Sequence, residues 1–187
     1  MSTRIEIWHQ DHANFSRLLT LLEAQIKLFH EDAAPNYELM LDVMYYMTHY
    51  PDLFHHPKED VVFEKVKKLD RGAHRIVDEL LRQHVVLRES GAKLLQNLDG
   101  VVADAMLAKT SIEAPGQTYI AYFRSHMDKE ESEIFPLASK LLSDEDWRAL
   151  DAAEPLPTDP LFGETVQKRY QSLHQHIARE LGCGCAD

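Results

Sequence analysis

The sequence predicts an all-α protein, an up-down-up-down four-helix bundle with additional C-terminal helices. Three observations carry this. Gly and Pro are sparse, 7 and 8 in 187 residues, and fall mostly between long stretches of apolar residues spaced three and four apart. Little of the period-2 alternation of a half-buried strand occurs. Four long apolar stretches are joined by short connections, as in antiparallel bundles.

The first stretch sets Trp8, His12, Phe15, Leu19, Leu22, Ile26 and Phe29 on one helical seam, with a histidine among the core residues. Glu31 to Asn36 reads as a loop, and Asn36 as the N-cap of a second helix starting at Tyr37. Met40, Met44 and Met47 face inward on it. Pro51 is expected to kink or break that helix near Tyr50 and Pro57 to disturb it again, before the seam resumes as His55, Glu59, Val62, Val66 and Leu69. Asp70-Arg71-Gly72 makes a turn, and Val77, Leu80, His84, Leu87, Gly91, Leu94 and Leu98 form the third seam, ended by Asp99-Gly100. The stretch 101–109 has no clear period. Thr110 with Glu113 resembles a capping box opening a fourth helix, whose seam is Tyr119, Phe123, His126, Glu130, Ile134, Leu137 and Leu141. Ser143 to Asp146 caps a short helix around Trp147 and Leu150, a proline-rich linker covers 154–160, and Leu161 to Leu181 is expected to form a last amphipathic helix. Residues 1–142 thus read as the bundle and 143–187 as a helical extension of the same domain.

Charge narrows the function. Twenty Lys and Arg against 31 Asp and Glu leave −11, which disfavours nucleic acid and anionic membrane surfaces and favours cations. No apolar run approaches the roughly 18 residues of a membrane span, and no signal peptide is apparent, so the cytoplasm is the expected location. The two cysteines, Cys183 and Cys185, provide no disulfide framework.

The 11 histidines carry the chemistry. About two should have an acid four places on by chance, and five do. Two of these pairs, His55–Glu59 and His126–Glu130, fall on inward seams and share the pattern His-x-x-Lys-Glu-acid. Each follows a solitary seam histidine, His12 or His84, by 43 and 42 residues, so the chain reads as two copies of one helical hairpin. Their pseudo-twofold pairing would bring His12, His55, Glu59, His84, His126 and Glu130 to one internal level. Two buried carboxylates need compensation. Lys58 and Lys129, turned about 100° away and expected in solvent, cannot supply it. A pair of divalent cations can, and nitrogen and oxygen ligands without thiolate suit iron, manganese or zinc. His56 and Asp60 are expected in supporting or solvent-facing roles, although Pro57 leaves His55 and His56 hard to separate. A ferritin-like di-iron site would need Glu-x-x-His on two helices, and only Glu6-Ile7-Trp8-His9 has that spacing.

Asp11-His12, His55-His56-Pro57-Lys58-Glu59-Asp60 with Phe63, His84, and His126-Met127-Asp128-Lys129-Glu130-Glu131 with Phe135-Pro136 together resemble the hemerythrin-like (HHE cation-binding) family over about residues 5 to 142. The resemblance implies two iron ions with an oxo or hydroxo bridge, bridged also by Glu59 and Glu130, with His12, His55, His84 and His126 as terminal ligands. It implies binding of or reaction with O2, nitric oxide or peroxide in stress sensing, detoxification or iron handling. Oxygen-carrying relatives have a second histidine four residues after the third-helix ligand, where this chain has Arg88, and a His-x-x-x-x-Asp on the fourth helix. Four histidines with two glutamates resemble instead the di-iron proteins implicated in iron–sulfur cluster repair. An iron storage or transfer module and a zinc or manganese hydrolase are the alternatives. A small diatomic ligand or peroxide, and a second copy of the chain, are the expected partners.

Overall fold

The computed structural model describes residues 3–31, 33–153 and 158–180. Helix α1 (Thr3–Lys27) ends in a 3-10 turn at Leu28–His30, and its whole predicted seam is buried. Asn36 caps α2 (Tyr37–Tyr50), its side chain accepting a hydrogen bond from the Leu39 amide at 3.0 Å.

Pro51 does not break the second arm. The chain makes one π-helical turn, Pro51–His55, and continues as α3 (His56–Leu69). A second π-turn, Glu130–Ile134, joins α5 (Thr110–Lys129) to α6 (Phe135–Leu141). In both, the residue after the turn donates its amide five residues back, His56 to the Pro51 carbonyl and Phe135 to the Glu130 carbonyl. In both, the next residue is proline, Pro57 or Pro136. A proline lacks the amide that an α-helix requires and crowds the carbonyl four residues back, and a wider turn just ahead relieves both.

On the fourth arm the extra residue shifts the seam that follows. Below the second turn the buried positions are Ile134, Phe135, Ala138 and Leu142, one residue off the expected Leu137 and Leu141. On α3, Leu69 is 53% exposed and not part of the seam, and Lys58 is buried, not solvated.

Helix α4 (His74–Val102) runs past Gly100 and stops where Asp104 turns to a left-handed φ of 62°. Residues 103–109 hold no helix. The expected capping box at Thr110 is absent. Lys109 occupies the cap position in helical geometry without a side-chain bond, Thr110 is already inside the helix, and Glu113 pairs with His30 at 2.7 Å. Ser143 and Asp146 do cap α7 (Asp144–Ala153) reciprocally. The last helix, α8 (Gln171–Glu180), is shorter than predicted. Leu161 to Gln167 are turns, latched where Asp159 accepts from the Tyr46 hydroxyl and from the Leu161 and Phe162 amides, each at 2.8 Å. Cys183, Cys185, linker residues 154–157 and the Glu180 side chain fall outside the described residues.

The four arms form an all-α bundle in which α1 packs on α2 and α5, and α4 on α2 and α5. Its core is divided. One apolar cluster joins Phe15 to Phe29 with Met40 to Tyr50, Leu87 to Leu98, Ile112 to Met127, and Leu161, Tyr170, Leu173 and Ile177 of the C-terminal segment. The other joins Ile5 and Trp8 with Val62 to Val66, Ile76 to Leu80, Ile134 to Leu142, and Trp147 and Leu150 of α7. A layer of buried polar residues separates them. No described helix is long and apolar enough to cross a membrane.

Candidate metal centre

The polar layer is the predicted site. His12 lies between Trp8 and Phe15 on α1, His84 between Leu80 and Leu87 on α4, His55 and Glu59 on the second arm, and His126 and Glu130 on the fourth, all six buried. The His12 and His55 Nε2 atoms face each other at 3.3 Å. His55 Nε2 stands 3.0 Å from Glu59 Oε1, His126 Nε2 3.1 Å and His84 Nε2 3.2 Å from Glu130 Oε1, and His12 Nε2 3.4 Å from Glu130 Oε2.

A seventh residue joins them. His56 is as buried as His55, stacks on the His84 ring at 4.2 Å between centroids, and falls with His84 and His126 into one group whose ligand atoms lie within 4.8 Å of each other. His12, His55 and Glu59 form a second such group, and Glu59, His84 and Glu130 a third that links them. Sequence reasoning set His56 aside because neighbours on an α-helix diverge by about 100°. The π-turn ending at His55 breaks that register and turns both imidazoles inward. The available signal was Pro57, which forces the wide turn. On the fourth arm the π-turn comes after His126, so Met127, the counterpart of His56, packs instead in the apolar cluster. Arg88 is exposed and takes no place in the layer. The third imidazole beside His84 and His126 therefore comes from the neighbouring arm. His49, a further candidate from its place near Pro51, stacks on Tyr45 and bonds the Tyr45 carbonyl at 2.6 Å, away from the layer.

Each imidazole is aimed by what holds its other nitrogen. His55 Nδ1–H donates to Asp11 at 2.9 Å, His12 Nδ1–H to Glu131 at 3.0 Å, His84 Nδ1–H to Asp60 at 2.6 Å and His126 Nδ1–H to Gln83 at 2.9 Å. His56 Nδ1 faces Asp52 at 3.3 Å without a well-aligned bond. Four of these contacts obey the duplicated register. The residue before each solitary histidine, Asp11 or Gln83, holds the histidine of the same hairpin. The final acid of each His-x-x-Lys-Glu-acid, Asp60 or Glu131, crosses to the solitary histidine of the other hairpin. An outward carboxylate or amide that fixes the tautomer and leaves Nε2 bare is the usual support of a metal-ligating histidine.

The layer is not self-sufficient. Both Glu59 oxygens, Glu130 Oε2 and His126 Nε2 are buried without a hydrogen-bond partner, although nitrogens and oxygens approach to 3.0–3.4 Å. His12 Nε2 with His55 Nε2 and His84 Nε2 with Glu130 Oε1 are aligned as hydrogen bonds, and the remaining close approaches without alignment leave their lone pairs free for a shared cation. Two ligands about 2.1 Å from one ion at right angles lie about 3 Å apart, which is the spacing observed. Without a cation, protons must serve. Burial opposes charge on His12, but Glu131, Glu59 and Glu130 outweigh it and raise its pKa to about 9. His55, desolvated yet beside Glu59 and Asp11, rises to about 10, and His84, held by Asp60 and Glu130 against the same burial, to about 9. Glu59 is pulled well below its ordinary value, His55 and His12 overcoming its burial. Burial, then the charge of His84, drives His56 well below the ordinary histidine value, leaving it a neutral donor.

An apolar collar closes the layer. The Phe15 ring lies 5.0 Å from His55, Phe135 5.4 Å from His12, Phe123 5.8 Å from His56 and Phe63 6.1 Å from His84. A family model described as hemerythrin HHE cation binding domain matches residues 3–138, which covers the bundle into α6 and every residue of the layer. Neither the curated proteins nor the solved structures yielded a match to the chain.

Proposed function

The chain belongs to the hemerythrin HHE cation-binding domain family, and from that premise we propose that it is a cytoplasmic non-haem di-iron protein that binds or reacts with O2, nitric oxide or peroxide. The observation that carries the reading is the pair of buried glutamates with unsatisfied oxygens, set among five inward imidazoles. Of the predicted ligands, His12 and His55 would hold one ion and His84 and His126 the other, with His56 added to the second. Glu59 and Glu130 reach both groups and would bridge. When bound, a pair of iron ions supplies the redox chemistry that small oxygen and nitrogen species require.

The chain's own residues prepare that chemistry. Asp11, Asp60, Gln83 and Glu131 hold the imidazoles in the tautomer that presents Nε2. The phenylalanine collar surrounds the layer with apolar rings, so charges within it interact more strongly than at the surface. The two glutamates lose their need for protonated imidazole neighbours once cations stand between them.

Anaerobic loading of the apo-protein with ferrous ion should return two irons per chain, and His84→Ala and Glu130→Ala should each lose most of that iron. Full loading in both variants would refute the site. Stopped-flow mixing of the ferrous protein with O2, nitric oxide and peroxide then separates the roles. A reversible adduct marks a carrier or sensor, irreversible turnover an enzyme, and loss of iron to a chelator with neither a storage module.

A further inference from the structure

The duplicated register that relates the two hairpins also exposes where they differ on the outside. A cleft of about 450 Å³ runs between α1 and α5 and is lined by His9, Ala13, Ser16, Met127, Asp128 and Glu131, with Arg124 at its side and His12 as its floor. Carrying each lining position across the pseudo-twofold gives the matching face of the other half. There His9 becomes Leu81, Ala13 becomes Val85, Ser16 becomes Arg88, and Met127 becomes His56. The small residues of one face are thus replaced by bulky ones on the other, and the cleft exists where Ala13 and Ser16 leave room.

We propose that this cleft is the port through which a hydrated divalent cation enters and leaves the metal centre, with Glu131 as its movable door. The inference rests on the metal-centre reading above. Size permits a hydrated ion: six waters at about 30 Å³ each occupy roughly 180 Å³, which the cleft holds. Charge supports it as well. Arg124 is engaged by Glu23 at 3.1 Å and reaches Thr20, so the lining that remains is Asp128, Glu131 and two imidazoles, groups that exchange readily with the water ligands of a divalent ion. Glu131 has the means to move. Its side chain is 42% exposed and bridges His12 at 3.0 Å to His9 at 3.4 Å, so one rotation uncovers the edge of the His12 ring while His9 still receives the carboxylate. The register counterpart of Glu131, Asp60, 37% exposed, holds His84 at 2.6 Å, and Leu81 stands where a second histidine would receive it.

The test copies the bulkier residues of the other face onto the cleft. Ala13→Val with Ser16→Arg should slow both the loading of the apo-protein with Co(II), followed by its visible absorption, and the removal of bound Co(II) by a chelator, each by tenfold or more. The final stoichiometry, helical circular dichroism and melting temperature should stay at wild-type values. Rates within twofold of wild type in a variant that still binds its full complement would overturn the port. Should the double variant not fold, Ala13→Val alone is expected to slow both rates at least threefold, and wild-type rates in it would be equally decisive. A wild-type chain that takes up no Co(II) or iron would instead overturn the metal centre itself, so the two failures are distinct.

Discussion

A buried imidazole has two nitrogens to satisfy, and in four of the five in this layer the outward one is spoken for before any metal arrives. Asp60 and Glu131 do this from the opposite hairpin, at 2.6 and 3.0 Å, so each ties the two halves of the layer together at the point where a ligand must be aimed. Losing such an outer partner typically costs ten- to hundredfold in metal affinity. Asp60→Ala should therefore weaken binding by that factor, measured by competition with a chelator, whereas Asp60→Asn, which keeps an acceptor oxygen, should recover much of it. Equal loss in both would mean that charge and not aim is the contribution of Asp60. The final acid of the repeated His-x-x-Lys-Glu-acid was visible in the sequence, but its role was not, because it acts across a distance of 24 residues in one half and 119 in the other. The six inner residues were legible from seam position and duplicated spacing. His56 was not, since helical periodicity assigns neighbours to different faces and only backbone geometry reunites them.

At the scale of an element, the π-turns decide what a regular period cannot. Every seam residue of α1 and α4 named from spacing is buried, because nothing interrupts those helices. The seam drawn through the fourth arm drifts where a π-turn adds a residue, exchanging Leu137 and Leu141 for Ala138 and Leu142, whereas on the second arm Val62 and Val66 stay buried as named and only Leu69, the last residue of α3, stands in solvent. Pro57→Ala restores the missing amide and removes the ring, so the second arm can close as an α-helix and carry His56 out of the layer. The expected result is a second equivalent of Co(II) bound at least tenfold more weakly; Pro136→Ala, whose turn begins at Glu130, should act instead on the packing of Phe135. Wild-type affinity for both equivalents in Pro57→Ala would show that the turn is held by packing alone. The C-terminal segment makes a separate unit of the same kind. Asp159 collects the Tyr46 hydroxyl and two amides, and burial raises its pKa despite them. Asp159→Ala should lower stability by roughly 2 kcal/mol in urea unfolding, since three bonds and a turn cap are lost together. Metal stoichiometry should not change.

Over the whole molecule, the bundle sacrifices continuity of its core to a charged layer, and protons or cations must hold that layer together. The sign of the pH dependence follows from which one is present. In the apo-protein, His12, His55 and His84 have pKa values raised from 6.5 to about 9, 10 and 9, because Glu131, Glu59, Asp11 and Asp60 with Glu130 outweigh burial. A group raised on folding contributes stability that is complete below its unfolded value and lost as the pH climbs through the folded one. The glutamates Glu59 and Glu130 are lowered from 4.5, their imidazole neighbours overcoming burial, so their contribution is present above that value and lost as the pH falls. The apo-protein should thus be most stable between about pH 5 and 6.5 and lose melting temperature steadily from there to about pH 10. Bound cations replace those protons, so loading at pH 7 should release protons into a weakly buffered solution. The loaded protein should then hold its melting temperature across the interval in which the apo-protein loses it, and should gain about 2.7 kcal/mol at a free-metal concentration a hundred times the dissociation constant. Parallel apo and loaded curves above pH 7.5, or uptake without proton release, would show that the buried imidazoles are not what the metal displaces protons from, and the layer would have to be balanced in some other way.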